Sequence, residues 1–506
     1  MTAPTLRQYQ TETLDRARRE FADGRRRILL TAPTGSGKTI MAAALIDGAV
    51  AKNGQVLILA HRKELITQAA RKLSDIGIDA GVILAGYPNR PMQPVQIASI
   101  QTLRARAIWT SKIDMPPATV VVIDEAHHAR AETYRGILDH YPLAAILGLS
   151  ATPCRGDGRG LGNIFDALVE APGVAELTRL GHLVPAVCYA PSTPDLTGIS
   201  SRNGDYVTTE LAERVDTPKL VGDIVTEWHR LGEGRPTIVF ATNVAHSVHL
   251  RDQFLRTGVL AEHLDGTTPA KERDDILERF GRGAVDVICN VQVLSEGYDQ
   301  PIASCVVLGR PTKSLGLYRQ MVGRGLRPSP ETGKVDCLIL DHAGCVFAHG
   351  TPSDEIAWTL SVDHRAENRT QAARLRRSGI GLVDCPECKA VRNPGDACLA
   401  CGWKPTRRGK EIEIADGELA RIDLDRVARK HIATSEEREQ LLGELLYIAR
   451  ERGYKPGWAS HKYERKFGSW PPSLEVPIIA PSSATWSWVK SQQIAYAMAL
   501  KKREDT

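Results

Sequence analysis

The chain lacks any apolar run approaching the roughly 18 residues that a membrane-spanning helix needs. Its first ten residues, Met1 to Gln10, place a charge at Arg7 with no apolar stretch behind it. No membrane span or signal peptide is expected, which points to a soluble protein of the cytosol, bacterial or phage-encoded. Cysteine is too sparse for a disulfide scaffold, at ten in 506 residues. Neither sign of charge dominates: 65 basic against 60 acidic residues leave a net +5, so a polyanionic partner has to be argued from local clusters. Aromatics make up only 5% of the chain. At 506 residues the length exceeds what one ordinary core fills, so several domains are expected.

What is present is a repeated theme. Strand-length apolar runs at Ile28 to Thr31, Val56 to Ala60, Val95 to Ser99, Val120 to Asp124 and Ile146 to Ser150 are each followed by small or polar residues and a helical period. The theme returns at Thr237 to Ala241, Val285 to Asn290, Cys305 to Gly309 and Cys337 to Asp341. Runs apolar on both faces suit parallel sheets covered by helices, which predicts two α/β domains. The expected division is a first domain over 1–185, a connector or insertion over 186–217, and a second domain over 218–348. A basic polar connector follows over 349–380, then a four-cysteine module over 381–405 and a mainly helical region over 406–506. Thr434 with Glu437 forms a capping-box pattern for one of those helices.

Ala32-Pro-Thr-Gly-Ser-Gly-Lys-Thr39 follows a strand run and opens a helical one. Gly35 and Gly37, with Thr34 and Ser36 between and before them, let backbone amides close around phosphate. Lys38 supplies charge to the β and γ phosphates, and Thr39 a hydroxyl to Mg2+. Ala32 stands where the strict pattern has glycine. Val120-Val-Val-Ile-Asp-Glu-Ala-His127 is a strand ending in two carboxylates. Asp124 is assigned to Mg2+ through water and Glu125 to the attacking water as general base.

These pieces, with Ser150-Ala-Thr152 and Gln320-Met-Val-Gly-Arg-Gly-Leu-Arg327, resemble motifs I, II, III and VI of the superfamily 2 helicases in order and spacing. The resemblance covers about residues 1 to 345. It implies two RecA-like domains with ATP in the cleft between them, and Arg324 and Arg327 reaching the γ phosphate when the cleft closes. Leu6-Arg-Gln-Tyr-Gln10 is similar to the adenine-reading motif, with Gln10 and Arg7 as contacts. His127 and Gln320 are similar to the pair coupling the acid box to the second domain. In Leu294 to Pro301, similar to motif V, Gly297 and Asp299 would face the nucleotide.

Ala60 to Leu65 and Ala98 to Leu103 resemble the family's nucleic-acid motifs, so Arg62, Ser99, Gln101 and Thr102 are candidate phosphate contacts. A solvated charge and a polar helix start are the alternative. Cys385, Cys388, Cys398 and Cys401 form two C-x-x-C pairs, a closed thiolate set for a structural Zn2+, with redox pairs as the competing reading. Nine aromatics lie between Tyr447 and Tyr496, interleaved with cations that include Lys462 and Lys466. They suit either stacking and phosphate contact on DNA or the core of a small domain. The cysteine cluster and this tail resemble RadD-type DNA-repair helicases and their phage relatives.

The sequence thus reads as an ATP-, Mg2+- and Zn2+-dependent DNA helicase or translocase of recombination, repair or phage replication. Its partners would be single-stranded, forked or branched DNA and single-strand-binding or recombination proteins. The alternatives are a DNA remodeller without strand separation, an RNA helicase, and an ATPase-inactive DNA-binding scaffold.

Overall fold

A strand apolar at every position must be covered on both faces, and the computed structural model places each such run inside a sheet. It describes residues 6–405 and 434–492, apart from residues 89, 129, 130, 191–193, 203, 233, 296, 298, 299, 379, 380 and 456. In the first domain seven strands form one parallel sheet: β1 (Arg27–Thr31), β2 (Val56–Ala60), β3 (Ala80–Ile83), β4 (Val95–Ser99), β5 (Val120–Ile123), β6 (Ala145–Ser150) and β7 (Ala167–Glu170). Their order is β3-β4-β2-β5-β6-β1-β7. Alternate residues feed opposite layers: Ile28 and Leu30 of β1 join one core cluster and Leu29 the other, and Val56 and Ile58 of β2 oppose Leu57 and Leu59. Truncating such a side chain, Leu29→Ala for instance, removes packing worth about 2–5 kcal/mol.

The second sheet contains β8 (Ala186–Tyr189), β11 (Thr237–Phe240), β12 (Ala261–Leu264), β13 (Val287–Asn290), β14 (Cys305–Leu308) and β15 (Cys337–Asp341) in the order β12-β13-β11-β14-β15-β8, again all parallel. Two strands between β8 and β11, β9 (Ser201–Arg202) and β10 (Asp205–Tyr206), form a separate hairpin.

Two expected segments differ from the reading of the sequence. Residues 186–189, expected to open a connector, are an edge strand of the second sheet, paired along Cys337–Leu340. The hairpin beyond them is anchored on the same domain: the Asp205 carboxylate accepts from Thr312 Oγ1 at 2.9 Å and Lys313 N at 2.8 Å. Residues 349–380 are more than a connector. Ile356–Ala357 pairs with Glu367–Asn368, and the strap returns to the first domain, where Gly160 N donates to Ser361 O at 2.9 Å and Gly162 N to Leu360 O at 2.7 Å. The four-cysteine module packs on the second domain, with Val391 in its core and Val187 and Tyr189 of β8 against the cysteines.

Met1–Arg407 is one compact unit and Arg408–Thr506 another. In the second unit the helix Ser435–Glu451 starts at Thr434, whose Oγ1 accepts from Glu437 N while Thr434 N donates to Glu437 Oε2. Leu441, Leu442, Leu445 and Ile448 meet Ala459, Tyr463 and Val489, with Trp458, Phe467, Trp486 and Trp488 around them. No helix among the described residues is long and apolar enough to cross a membrane.

Candidate functional site

Because the strands are parallel, their carboxyl ends share one edge, and β5, β6 and β1 are neighbours there. The acid box, Ser150 and the phosphate loop therefore emerge side by side. The helix Lys38–Val50 starts where the loop ends, directing its free amides and positive dipole end at the cleft. Gly35 and Gly37 hold φ of +88° and +84°, and a Cβ on Gly37 would lie 2.4 Å from Gln10 Nε2, so only glycine fits.

The loop opens on a cleft of about 230 Å³ lined by Thr34, Gly35, Gly37, Lys38, Thr39, Asp124, Glu125, Gly297, Arg324 and Arg327. First-domain and second-domain residues thus share one cavity. Lys38 Nζ donates to Ala32 O at 3.1 Å. Burial pulls its pKa down, opposed by Glu125 and then Asp124. Asp124 is pushed up to about 6, by burial first and Glu125 second. Both shifts follow from charge buried away from water, which a polyphosphate with its metal ion would offset. Glu125 sits at φ +47°, a costly conformation for a side chain with a Cβ and one concentrated at functional sites.

A chain of contacts crosses from the acid box to the second domain, hydrogen-bonded from Ser150 through His127 to Gln320, with Glu125 beside it. His127 Nδ1 lies 3.4 Å from Glu125 Oε2 and 3.0 Å from Ser150 Oγ, which itself donates to Thr152 O at 2.9 Å. On the other side of the ring, Gln320 Nε2 donates to His127 Nε2 at 3.1 Å. That donation fixes the tautomer: Nε2 accepts, so the proton is on Nδ1, facing Ser150 and Glu125. Gln320 is 4% exposed and lies on the helix Leu315–Gly323, whose last residue approaches the phosphate loop so closely that a Cβ there would be 2.5 Å from Thr34 Cβ.

Arg324, next along, donates through Nε and a terminal nitrogen to Ser295 O at 3.2 and 2.6 Å. Arg327 lies against the phosphate loop, where a Cβ on Gly35 would be 2.8 Å from Arg327 Cγ. Gly297 faces Leu65 of the first domain, and Asp299 lies outside the described residues. Gln10 Nε2 donates to Ser36 O at 3.0 Å and its Oε1 accepts from Arg7 N at 2.9 Å, while the Arg7 side chain is exposed. Ser36 Oγ donates to Pro33 O at 2.7 Å.

The nucleic-acid candidates divide. Arg62 spans the domains, donating to Gln292 O at 3.4 Å. Ser99 is buried and caps a short helix, its Oγ accepting from Thr102 N at 3.4 Å and donating to Gln101 Oε1 at 3.0 Å. Gln101 is exposed. In the C-terminal unit Lys462 lies 5.8 Å over Trp458 and Lys466 4.8 Å over Trp488, so both cations cap the aromatic core and leave their ammonium groups at its surface.

The four cysteine sulfurs lie within 4.8 Å of one another. Cys385 Sγ is 3.7 Å from Cys401 Sγ, and Cys388 Sγ 3.5 Å from Cys398 Sγ. A tetrahedron with Zn–S near 2.3 Å has an edge of about 3.8 Å, so this donor set fits that ion. Two matching turns present it. Cys385 N donates to Ala390 O and Lys389 N to Cys385 O; Cys398 N donates to Trp403 O and Gly402 N to Cys398 O. Lys389 and Gly402 take positive φ at equivalent positions.

Reasoning from sequence did not single out Tyr9, whose hydroxyl donates to Ser36 O at 2.5 Å and whose ring lies 5.1 Å from that of His182. Ser150 was recognised only as part of a motif. Tyr9 lies inside a quoted pentapeptide, but only the fold brings it to the phosphate loop.

Residues 3–155 match the family model described as "Type III restriction enzyme, res subunit", and residues 218–329 the "Helicase conserved C-terminal domain". The chain is 29% identical over 404 residues to a 51.5 kDa protein of Lactococcus phage (isolate 7-9), spanning 79% of this chain and 84% of that protein. It is 33% identical over 364 residues to the putative ATP-dependent helicase IRC3 of Saccharomyces cerevisiae, spanning 68% of this chain and 52%, about half, of that protein. Among solved structures, a fragment of a putative HsdR subunit of a type I restriction enzyme from Vibrio vulnificus YJ016 matches with TM-score 0.54 at 21% identity. It covers 68% of this chain and 66% of that one, and the likeness speaks for the fold. With one helicase-type domain model on each sheet and relatives that run through both, the chain belongs to the superfamily 2 helicases, a family of ATP-using enzymes.

Proposed function

We propose that the chain is an ATP-driven DNA motor, a helicase or translocase acting in recombination, repair or phage replication. The observation that supports this reading is that Gln320 of the second domain hydrogen-bonds His127, whose ring lies 3.4 Å from Glu125 Oε2, so a carboxylate that polarises water would sense the position of the second domain. In this reading the phosphate loop, Lys38 and Thr39 hold the triphosphate and its Mg2+, and Asp124 anchors the Mg2+ through water. Glu125 polarises the attacking water, and Arg324 and Arg327 meet charge on the γ phosphate. Gln10 and Arg7 read the adenine, and Gly297 and Asp299 face the nucleotide. DNA crosses the edge presented by Arg62, Ser99, Gln101 and Thr102, with Lys462 and Lys466 as further phosphate contacts.

The test is ATP turnover with single-stranded, duplex and forked DNA and with RNA, followed by strand displacement on the activating substrate. Stimulation by DNA is expected. Stimulation by RNA alone, or none, would overturn the reading.

Cys385, Cys388, Cys398 and Cys401 hold one structural Zn2+ in this account, and the ion leaves no coordination position for catalysis. Elemental analysis of protein purified without chelator should find one zinc per chain. Replacing Cys385 and Cys388 with serine should release it and expose residues 381–405 to protease, with the motor domains intact. Zinc-free protein that resists protease at that segment would contradict the assignment.

A further inference from the structure

Ser99 caps a helix whose first turn, Ile100–Leu103, is α-helical and whose next six residues, Arg104–Trp109, wind as a π-helix. The wide turn is marked by the hydrogen bond from Thr110 N to Ala105 O at 3.1 Å, five residues back. Such turns make up well under about 1% of residues and are found frequently at functional sites. Here the consequence is geometric. Bonding five residues back brings residues five apart over one another, and the Arg104 guanidinium stands 5.0 Å from the centre of the Trp109 ring.

The rest of the turn is anchored, since Ala107 and Ile108 pack against the first-domain core. Trp109 points away from that core and is 66% exposed. Arg104 Nε makes no hydrogen bond, so the indole face orients the guanidinium. The arrangement is a large, solvent-exposed aromatic plane on a turn anchored to the core, with a cation over the ring. It lies ten positions beyond Ser99 on the same helix, no more than about 15 Å along the axis.

We infer that Trp109, backed by Arg104, is a stacking platform for an unpaired nucleobase of the bound strand. The inference rests on the DNA-motor reading, which places the strand across Ser99, Gln101 and Thr102. Every base has a π face, so such a platform tolerates any sequence. It selects single-stranded nucleic acid because bases in a duplex are already stacked on their neighbours. The Arg104 charge stays close to the strand's phosphates while the indole takes the base.

The test measures binding of a labelled single-stranded oligonucleotide and of a blunt duplex to the full chain and its Trp109→Ala and Trp109→Phe variants across a salt series. Trp109→Ala should bind the single strand about 5- to 150-fold more weakly, and Trp109→Phe should recover most of the loss. Duplex affinity, the slope of log affinity against log salt, the melting temperature and ATP turnover without DNA should match wild type, because no phosphate contact is removed. Unchanged single-strand affinity in Trp109→Ala would overturn the inference alone and leave Trp109 as a protein-docking residue. An equal loss on duplex would also overturn it. A wild-type chain that binds neither nucleic acid would overturn this inference together with the DNA-motor reading.

Discussion

Glu125→Gln should bind ATP and fail to turn it over, with DNA-stimulated hydrolysis falling by about 100- to 10,000-fold. The substitution keeps the volume and shape of a side chain that is only 8% exposed, so the cleft should survive intact. In the proposed mechanism Lys38 and the loop amides still meet the phosphates, and Asp124 still anchors the Mg2+. What is lost is the carboxylate that, in the proposed mechanism, takes the proton from the attacking water. Lys38→Ala should give the opposite pattern, because the proposed mechanism makes the buried ammonium beside the loop the phosphate contact, and ATP binding should fail with turnover. Equilibrium binding of a fluorescent nucleotide and phosphate release separate the two defects. Near-normal hydrolysis by Glu125→Gln would remove the general base from the account.

The parts of the fold that were legible in the sequence share a physical cause. The interior strands β1, β2, β4, β5 and β6 of the first sheet, and β11, β13, β14 and β15 of the second, are flanked by strands on both sides and covered on both faces. They read as continuous apolar runs, and each was recognised. The four strands that were missed, β3, β7, β8 and β12, are the outermost strands of the two sheets. Each has four residues and alternates or interrupts its burial, as in Ala80–Ile83 and Ala186–Tyr189. A half-covered edge strand tolerates polar residues and leaves little in the sequence to separate it from a loop.

The candidate site divides along a similar line. The phosphate loop and acid box are contiguous in the chain, and their chemistry demands particular residues at fixed spacing, so they were visible. Contacts made only by folding were not: Tyr9 on Ser36 O, Ser150 under His127, and the strap whose residues 360 and 361 return to the first domain. Arg104 and Trp109 are five apart, a separation at which an ordinary α-helix would not stack them. In the C-terminal unit the aromatic and basic pattern fitted core and surface equally from sequence. The structure shows why, with Trp458 and Trp488 packed around the core and Lys462 and Lys466 lying over their rings.

In the proposed mechanism, hydrolysis is tied to domain position by the 3.1 Å bond between Gln320 and His127. Removing either partner should lower DNA-stimulated turnover, since His127 loses its orientation or the second domain loses its hold on the acid box. Residues that act through one bond are not additive, and direct contacts of this kind carry coupling of about 0.5–3 kcal/mol. That corresponds to a factor of roughly 2 to 150 in rate. His127 also faces Ser150 and Glu125, so His127→Ala should be the more severe single change. The decisive measurement is therefore a double-mutant cycle on DNA-stimulated ATP turnover with wild type, His127→Ala, Gln320→Ala and the double variant. The account predicts that Gln320→Ala costs little once His127 is gone, leaving the double variant close to His127→Ala. Defects that multiply, with the double variant slower by the full product of the two single losses, would contradict a cleft in which the second domain controls hydrolysis through this pair.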